Sequence, residues 1–243
     1  MVKPGPGSGS HMEDRQVSMK KKYIIFDFDG TLCNTNDIIV ESWQASFEHF
    51  LGHSLPRRDI EATFGEVLRH TVSRLIPDAE PEEVVEYYRA YQNAHQGGTV
   101  YVFDGVRELL TELRKRGCRI GVATSRTAFS LHNYLRQFDM EDLIDEIITV
   151  NDVTRHKPDP ESVTATLRKL AGCEDNNGEI PEGILSQAMM VGDTKYDVGC
   201  ANNAGVDSVL VGWSHYIDEE DMAAAGFEPT YRINDPAEML DLI

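Results

Sequence analysis

The chain has 243 residues, and its 41 aspartates and glutamates outnumber its 23 lysines and arginines for a formal net charge of −18. Nucleic acid and anionic membranes are held mainly by basic patches, so this charge argues against both as partners. The 41% hydrophobic content can fill one large core or two smaller ones, and no apolar run approaches the length of a membrane span.

Residues 1–11 are rich in Gly, Pro and Ser, and Gly9-Ser10-His11-Met12 resembles a cloning scar. They are read as an expression tag and set apart from the fold, and nothing after them resembles a secretory signal. The four cysteines, Cys33, Cys118, Cys173 and Cys200, form no C-x-x-C pair. They are expected to be reduced thiols in a cytoplasmic protein.

Tyr23-Ile24-Ile25-Phe26 is an uninterrupted apolar run, the pattern of a strand buried on both faces. It leads into Asp27-Phe28-Asp29-Gly30-Thr31-Leu32. In extended backbone, positions i and i+2 point the same way, so Asp27 and Asp29 would crowd together. Like charges that close repel unless a cation or a shared proton relieves them, which predicts a metal site or an acid/base pair. Asp-Gly between apolar residues is also a hairpin signal.

Asn36 to Gly52 has apolar residues at helical spacing. A second helix is read from about Ile60 to Ile76 with a break at Phe64-Gly65, and a third from Pro81 to about His95, ended by Gly97-Gly98. No strand is read within this helical stretch. From Asp104 strands and helices alternate. Helices are expected near Val106–Arg116, Ala128–Phe138, Asp159–Leu170, Tyr196–Asn203, Glu219–Ala225 and Pro236–Leu242. Strands are expected at Arg119–Thr124, within Ile144–Val150, at Ala188–Val191, at Ser208–Gly212 and, as an edge strand, at Tyr231–Ile233. Between them, Glu174–Gly183 reads as a polar loop. The alternation predicts an α/β fold: a Rossmann-like parallel sheet core with helices on both faces, plus an inserted helical cap subdomain. The core would comprise 20–35 and 104–243, and the cap 36–103.

The expected strand ends share one edge, where open α/β sheets bind ligands. They carry Asp27 and Asp29, Thr124-Ser125, Lys157-Pro158-Asp159-Pro160, and Gly192-Asp193 with Asp197. Acids, a hydroxyl and a lysine gathered at one edge suit phosphoryl transfer. Each piece also has a local reading: Thr124-Ser125 as a helix cap, Lys157-Pro158 as a turn, Gly192-Asp193 as a tight turn.

Together and in this order, Asp27-x-Asp29-Gly30-Thr31, Thr124, Lys157-Pro158 and Gly192-Asp193 with Asp197 resemble the haloacid dehalogenase-like phosphohydrolase superfamily. The helical insert resembles its subgroup of phosphoglycolate phosphatase and β-phosphoglucomutase relatives. The resemblance implies that Asp27 is a nucleophile forming an aspartyl-phosphate and Asp29 the general acid/base. Thr124 would hydrogen-bond the phosphoryl group and Lys157 would neutralise its charge. Mg²⁺ would be held by Asp27, the backbone carbonyl of Asp29, and Asp193, with Asp197 ligating directly or behind them. The expected activity is a Mg²⁺-dependent phosphatase acting on a small phosphorylated metabolite, phosphoglycolate phosphatase-like, as a monomer or homodimer. A sugar phosphomutase, a pyrophosphatase and a catalytically silent binding protein are the alternatives. Substrate choice would lie in the cap, with Arg57, Arg58, Arg69, His70, Arg74 and the Phe64-Gly65 break as candidates. Relatives often read Leu-x-Asp-[Ser/Thr] where this chain has Leu32-Cys33-Asn34-Thr35.

Overall fold

The computed structural model describes residues 20–173, 179–214 and 219–243. The tag read at 1–11 lies outside them, as do residues 174–178 of the polar loop.

Strand β1 (Tyr23–Phe26) is buried along its whole length. Alternate side chains leave opposite faces of a strand. Ile24 and Phe26 enter one apolar cluster, and Tyr23 and Ile25 enter another. Burying a large apolar side chain is worth about 1.5–3 kcal/mol, so β1 anchors both halves of the core.

A two-residue strand β2 (Cys33–Asn34) follows, then helix α1 (Asn36–Leu51). Gly52 ends α1 in the left-handed conformation at φ 74°, its N–H donating to Glu48 O, a position that favours glycine. The second expected helix is two short ones, α2 (Arg57–Glu61) and α3 (Leu68–Leu75). The interruption covers residues 62–67 and includes Gly65 at φ 84°. Helix α4 (Pro81–His95) starts on its proline, which has no N–H to waste in a first turn. Trp43, Phe47, Ile60, Val72, Val84 and Tyr88 form a cluster of these four helices, joined by Phe64 and Ile76 of the connecting segments. Strand β3 (Tyr101–Val102) then pairs antiparallel with β2, and Asn34 Nδ2 donates to the Tyr101 hydroxyl at 2.7 Å. This small ribbon joins the helical layer to the sheet.

The α/β part continues with α5 (Val106–Lys115), β4 (Arg119–Ala123), α6 (Ala128–Gln137), β5 (Glu146–Ile148), α7 (Glu161–Ala171), α8 (Glu182–Leu185), β6 (Ala188–Gly192), α9 (Lys195–Ala204), β7 (Asp207–Val211), α10 (Glu219–Ala224) and β8 (Tyr231–Ile233). The segment read as a terminal helix is a 3₁₀ helix, Pro236–Asp241. Its start is set by Asp235, whose carboxylate accepts the Ala237 N–H.

The six-stranded sheet has the order β5-β4-β1-β6-β7-β8 and is parallel throughout. Leucines of α5 and α6 cover one face, and Val163, Leu167 and Leu170 of α7 with Ala201 of α9 cover the other. The chain builds outward from β1 to β4 and β5, then returns to the opposite flank of β1 with β6. The C-terminal ends of β4, β1 and β6 therefore stand side by side at the switch in strand order, where such sheets bind ligands. Among the described residues no helix is long and apolar enough to cross a membrane.

Candidate active site

Asp27 is the first residue after β1, and its N–H donates to Val191 O at the end of β6. The following turn depends on Gly30, at φ 71°. A Cβ there would lie 1.9 Å from Asp193 Oδ2, so backbone and carboxylate meet only because the side chain is absent. Asp193 follows β6 and is 2% exposed. Ser214 Oγ donates to its Oδ2 at 2.7 Å and Thr31 Oγ1 to its Oδ1 at 3.4 Å.

Asp197 lies in the first turn of α9. Its Oδ2 accepts the Thr194 N–H at 3.0 Å and the Thr194 hydroxyl at 2.7 Å, the N-terminal capping arrangement. Its Oδ1 accepts Lys157 Nζ at 2.6 Å. The same ammonium donates to Asp27 Oδ1 at 3.0 Å. Lys157 arrives from the loop before α7, its peptide bond to Pro158 being cis.

Oxygens of Asp27, Asp193 and Asp197 lie within 4.8 Å of one another, and all three residues are buried. Burial pushes the Asp27 carboxyl up to about 7, Asp197 and Asp29 push the same way, and Lys157 opposes them. Asp193 is raised well above the usual range by burial and by its two acidic neighbours. For Lys157, burial works against the charge, but Asp197 and Asp27 outweigh it and raise the pKa. One ammonium cannot neutralise three buried carboxylates. A hard divalent cation with oxygen ligands would supply the missing charge.

The Asp29 carboxylate stands apart from this cluster. Thr35 Oγ1 donates to its Oδ1 at 2.6 Å, and Arg126 holds both of its oxygens. Arg126 was not foreseen. It lies just beyond β4, its side chain 7% exposed. Its guanidinium also donates to Ser130 Oγ at 2.7 Å and to Gln92 Oε1 of α4 at 3.3 Å, and it stacks over the Tyr134 ring. Thr124 is buried, and its hydroxyl accepts the Arg126 N–H at 3.2 Å, which fixes the turn that presents Arg126. It does not cap α6, whose preceding residue is Thr127.

A cavity of about 380 Å³ lies between this sheet edge and the helices above. Asp27, Asp29, Lys157, Asp193, Ser125 and Arg126 line its floor. The 62–67 interruption reaches down to it: Ser125 Oγ donates to Gly65 O at 3.1 Å, and Tyr196 Oη donates to Glu66 Oε1 at 3.3 Å. The basic candidates of the cap do not line the cavity. Arg57 pairs with Asp37 and Glu61, Arg58 with Asp59, Arg69 with Glu82 and Arg74 with Glu66, while His70 packs against His156. Acidic neighbours hold these arginines to the helix surfaces.

The family model of haloacid dehalogenase-like hydrolases matches residues 24–211. The chain belongs to the haloacid dehalogenase-like hydrolases. It is 30% identical over 232 residues to pyrophosphatase PpaX of Bacillus velezensis, covering 95% of this chain and 98% of that one. With pyrophosphatase PpaX of Halalkalibacterium halodurans the identity is 29% over 225 residues, covering 93% and 98%. Among solved structures, a haloacid dehalogenase-like family hydrolase from Streptococcus pneumoniae superposes with a TM-score of 0.70 at 22% identity, covering 91% of this chain and 98% of that one. A hydrolase from Pseudomonas syringae gives 0.74 at 21% identity, covering 91% and 97%. These two support the fold. Within the haloacid dehalogenase-like hydrolases this chain is a phosphohydrolase.

Proposed function

We propose that this phosphohydrolase cleaves a small phosphorylated metabolite through an aspartyl-phosphate on Asp27. The reading rests on one arrangement: Lys157 bridges Asp27 and Asp197 at the floor of the cavity, while Asp29 is held separately by Arg126 and Thr35.

An ionised carboxylate attacks phosphorus without losing a proton first. Lys157 favours that ionised state against the burial that opposes it. A carboxylate oxygen of Asp27 bonds to phosphorus as the bond to the leaving oxygen breaks, and Asp29, entering this step in its acid form, gives that oxygen its proton. Asp29 then takes a proton from water, which attacks the acyl phosphate and returns Asp27 and inorganic phosphate. Lys157 offsets charge at the reacting phosphoryl group. Asp27, Asp193 and the Asp29 backbone carbonyl would hold Mg²⁺, with Asp197 beside them. When bound, the ion would offset the repulsion between the Asp27 carboxylate and the phosphate. Residues 36–103 act as a lid that shuts bulk solvent out while the phosphoryl group moves to Asp27.

The test is phosphate release from a panel of phosphorylated metabolites, with Mg²⁺ and with EDTA. Release that needs Mg²⁺ and disappears in Asp27→Asn supports the reading; full activity in the variant refutes it. A second reading, hydrolysis of pyrophosphate, is favoured by the names of the two PpaX relatives. Pyrophosphate therefore belongs in the panel.

A further inference from the structure

The cavity's upper walls bear on the choice between substrates. Trp43, Phe64 and Tyr88 line it from the helical layer, with Ile39 and Leu68 beside them. Trp43 stacks on Phe47 at 5.3 Å between ring centroids and meets Tyr88 edge-on at 5.2 Å. These contacts pack the rings of the wall against one another. Phe129, near the start of α6, completes the lining and is 74% exposed. A phenyl ring left in water beside an apolar wall forgoes burial that a ligand can supply.

The basic side chains tell the complementary story. Among the described residues, three of them line the cavity: Lys157, Arg126 and Arg89. Lys157 is engaged by Asp27 and Asp197, and Arg126 by Asp29. Arg89 is an exposed residue of α4, and Glu66 of the same lining is already paired with Arg74. A leaving group that is itself a phosphate or a carboxylate would meet the exposed Arg89 as its cation in a chamber otherwise walled by apolar rings. Asn93 adds an uncharged hydrogen-bonding group, beside Gln92 and Asn36, which are bonded to Arg126 and Ser214. The cavity of about 380 Å³ falls within the roughly 300–1,000 Å³ that small-molecule sites occupy.

We propose that the physiological substrate is a phosphate monoester of an uncharged alcohol bearing a flat ring, such as a nucleoside, a flavin or a pyridine alcohol. The ring lies between the Trp43–Tyr88 wall and Phe129, and the phosphate reaches Asp27. The proposal rests on the phosphatase reading above, and its test separates the two.

The experiment measures kcat/KM with Mg²⁺ for acetyl phosphate, pyrophosphate, phosphoglycolate, nucleoside 5′-monophosphates, flavin mononucleotide and pyridoxine 5′-phosphate. Acetyl phosphate is too small to reach the upper walls and reports the chemistry alone. One of the ring-bearing esters should exceed pyrophosphate and phosphoglycolate at least tenfold. Phe129→Ala should cost that ester about tenfold more than it costs acetyl phosphate, mostly through KM, as expected for a lost stacking surface. Acetyl phosphate turnover with pyrophosphate or phosphoglycolate preferred would overturn the ring-bearing substrate and leave the phosphatase reading standing. Equal losses on both substrates in Phe129→Ala would also overturn it. No release from any compound would remove the phosphatase reading and this proposal with it.

Discussion

Arg126 grips the carboxylate of Asp29 with two nitrogens, Nε to Oδ2 at 3.1 Å and Nη2 to Oδ1 at 2.5 Å. A planar guanidinium fixes both the position and the tilt of the carboxylate, which an ammonium cannot do. The same guanidinium touches Gln92 of α4, so the acid/base group and the helical layer share one anchor.

Arg126→Ala should therefore lower kcat by roughly tenfold to a hundredfold, since small misplacements of a catalytic group cost that much. Breaking the pair should also cost up to about 3 kcal/mol of stability, because the Asp29 carboxylate is only partly exposed. Arg126→Lys should recover melting temperature more than turnover. Steady-state kinetics and thermal melts on the two variants check this. Equal kcat in Arg126→Lys and the parent would show that charge suffices and the fork is not needed.

Asp27→Asn removes one charge from a crowded cluster. Turnover should fall at least about 10³-fold, as expected when a nucleophile is lost. The fold should stay intact in EDTA, because Asp27 as a carboxylate is opposed by burial and by Asp197 and Asp29. Circular dichroism melts beside the activity assay would settle it, and a variant that unfolds would speak against this balance of forces.

Mg²⁺ should stabilise the parent protein by binding the folded state. At a hundred times its dissociation constant the gain is about 2.7 kcal/mol, or roughly 5–10 °C in Tm for a chain of this size. Asp193→Asn should abolish most of that rise. Calorimetry with Mg²⁺ and with EDTA reads the effect without reference to any substrate. An undiminished rise in the variant would take Asp193 out of the metal site.

Glu161 gives a prediction in acid. Its carboxylate accepts the backbone N–H groups of Thr154 at 3.0 Å and Arg155 at 2.9 Å, just ahead of Lys157. These bonds, that from Thr154 foremost, lower its pKa from 4.5 to about 2. A depressed carboxylate contributes stability in full above the unfolded pKa and loses it as pH falls through the folded one. Urea midpoints should therefore decline between about pH 4.5 and pH 2, and Glu161→Gln should flatten that part of the curve. An unchanged slope in the variant would assign the acid sensitivity elsewhere.

Much of the fold was legible because its signals are local and long enough to repeat. The apolar runs at Tyr23–Phe26 and Ala188–Val191 are strands, and the helical spacing after Asn36 is a helix. The ribbon of β2 and β3 was not legible, since two-residue strands cannot display a period. Arg126 escaped for a different reason. Nothing in Thr124-Ser125-Arg126-Thr127 says which way the arginine points, and its partner is 97 residues away. The available clue was position: a basic residue at the end of a strand that carries other candidates. The cap arginines failed in the opposite sense. They are candidates for substrate choice in the sequence, but in the fold nearby acidic residues pair with them outside the cavity.

The bridge from Asp27 through Lys157 to Asp197 joins residues 130 and 40 positions apart. A growing chain makes Asp27 early, but the lysine and second acid that frame it come only after most of the molecule has been synthesised. Contacts of such sequence separation form late and slowly. Catalytic competence would then be gained in a single step near the end of folding, and hydrolysis itself would report that β1, the loop before α7 and α9 have found one another.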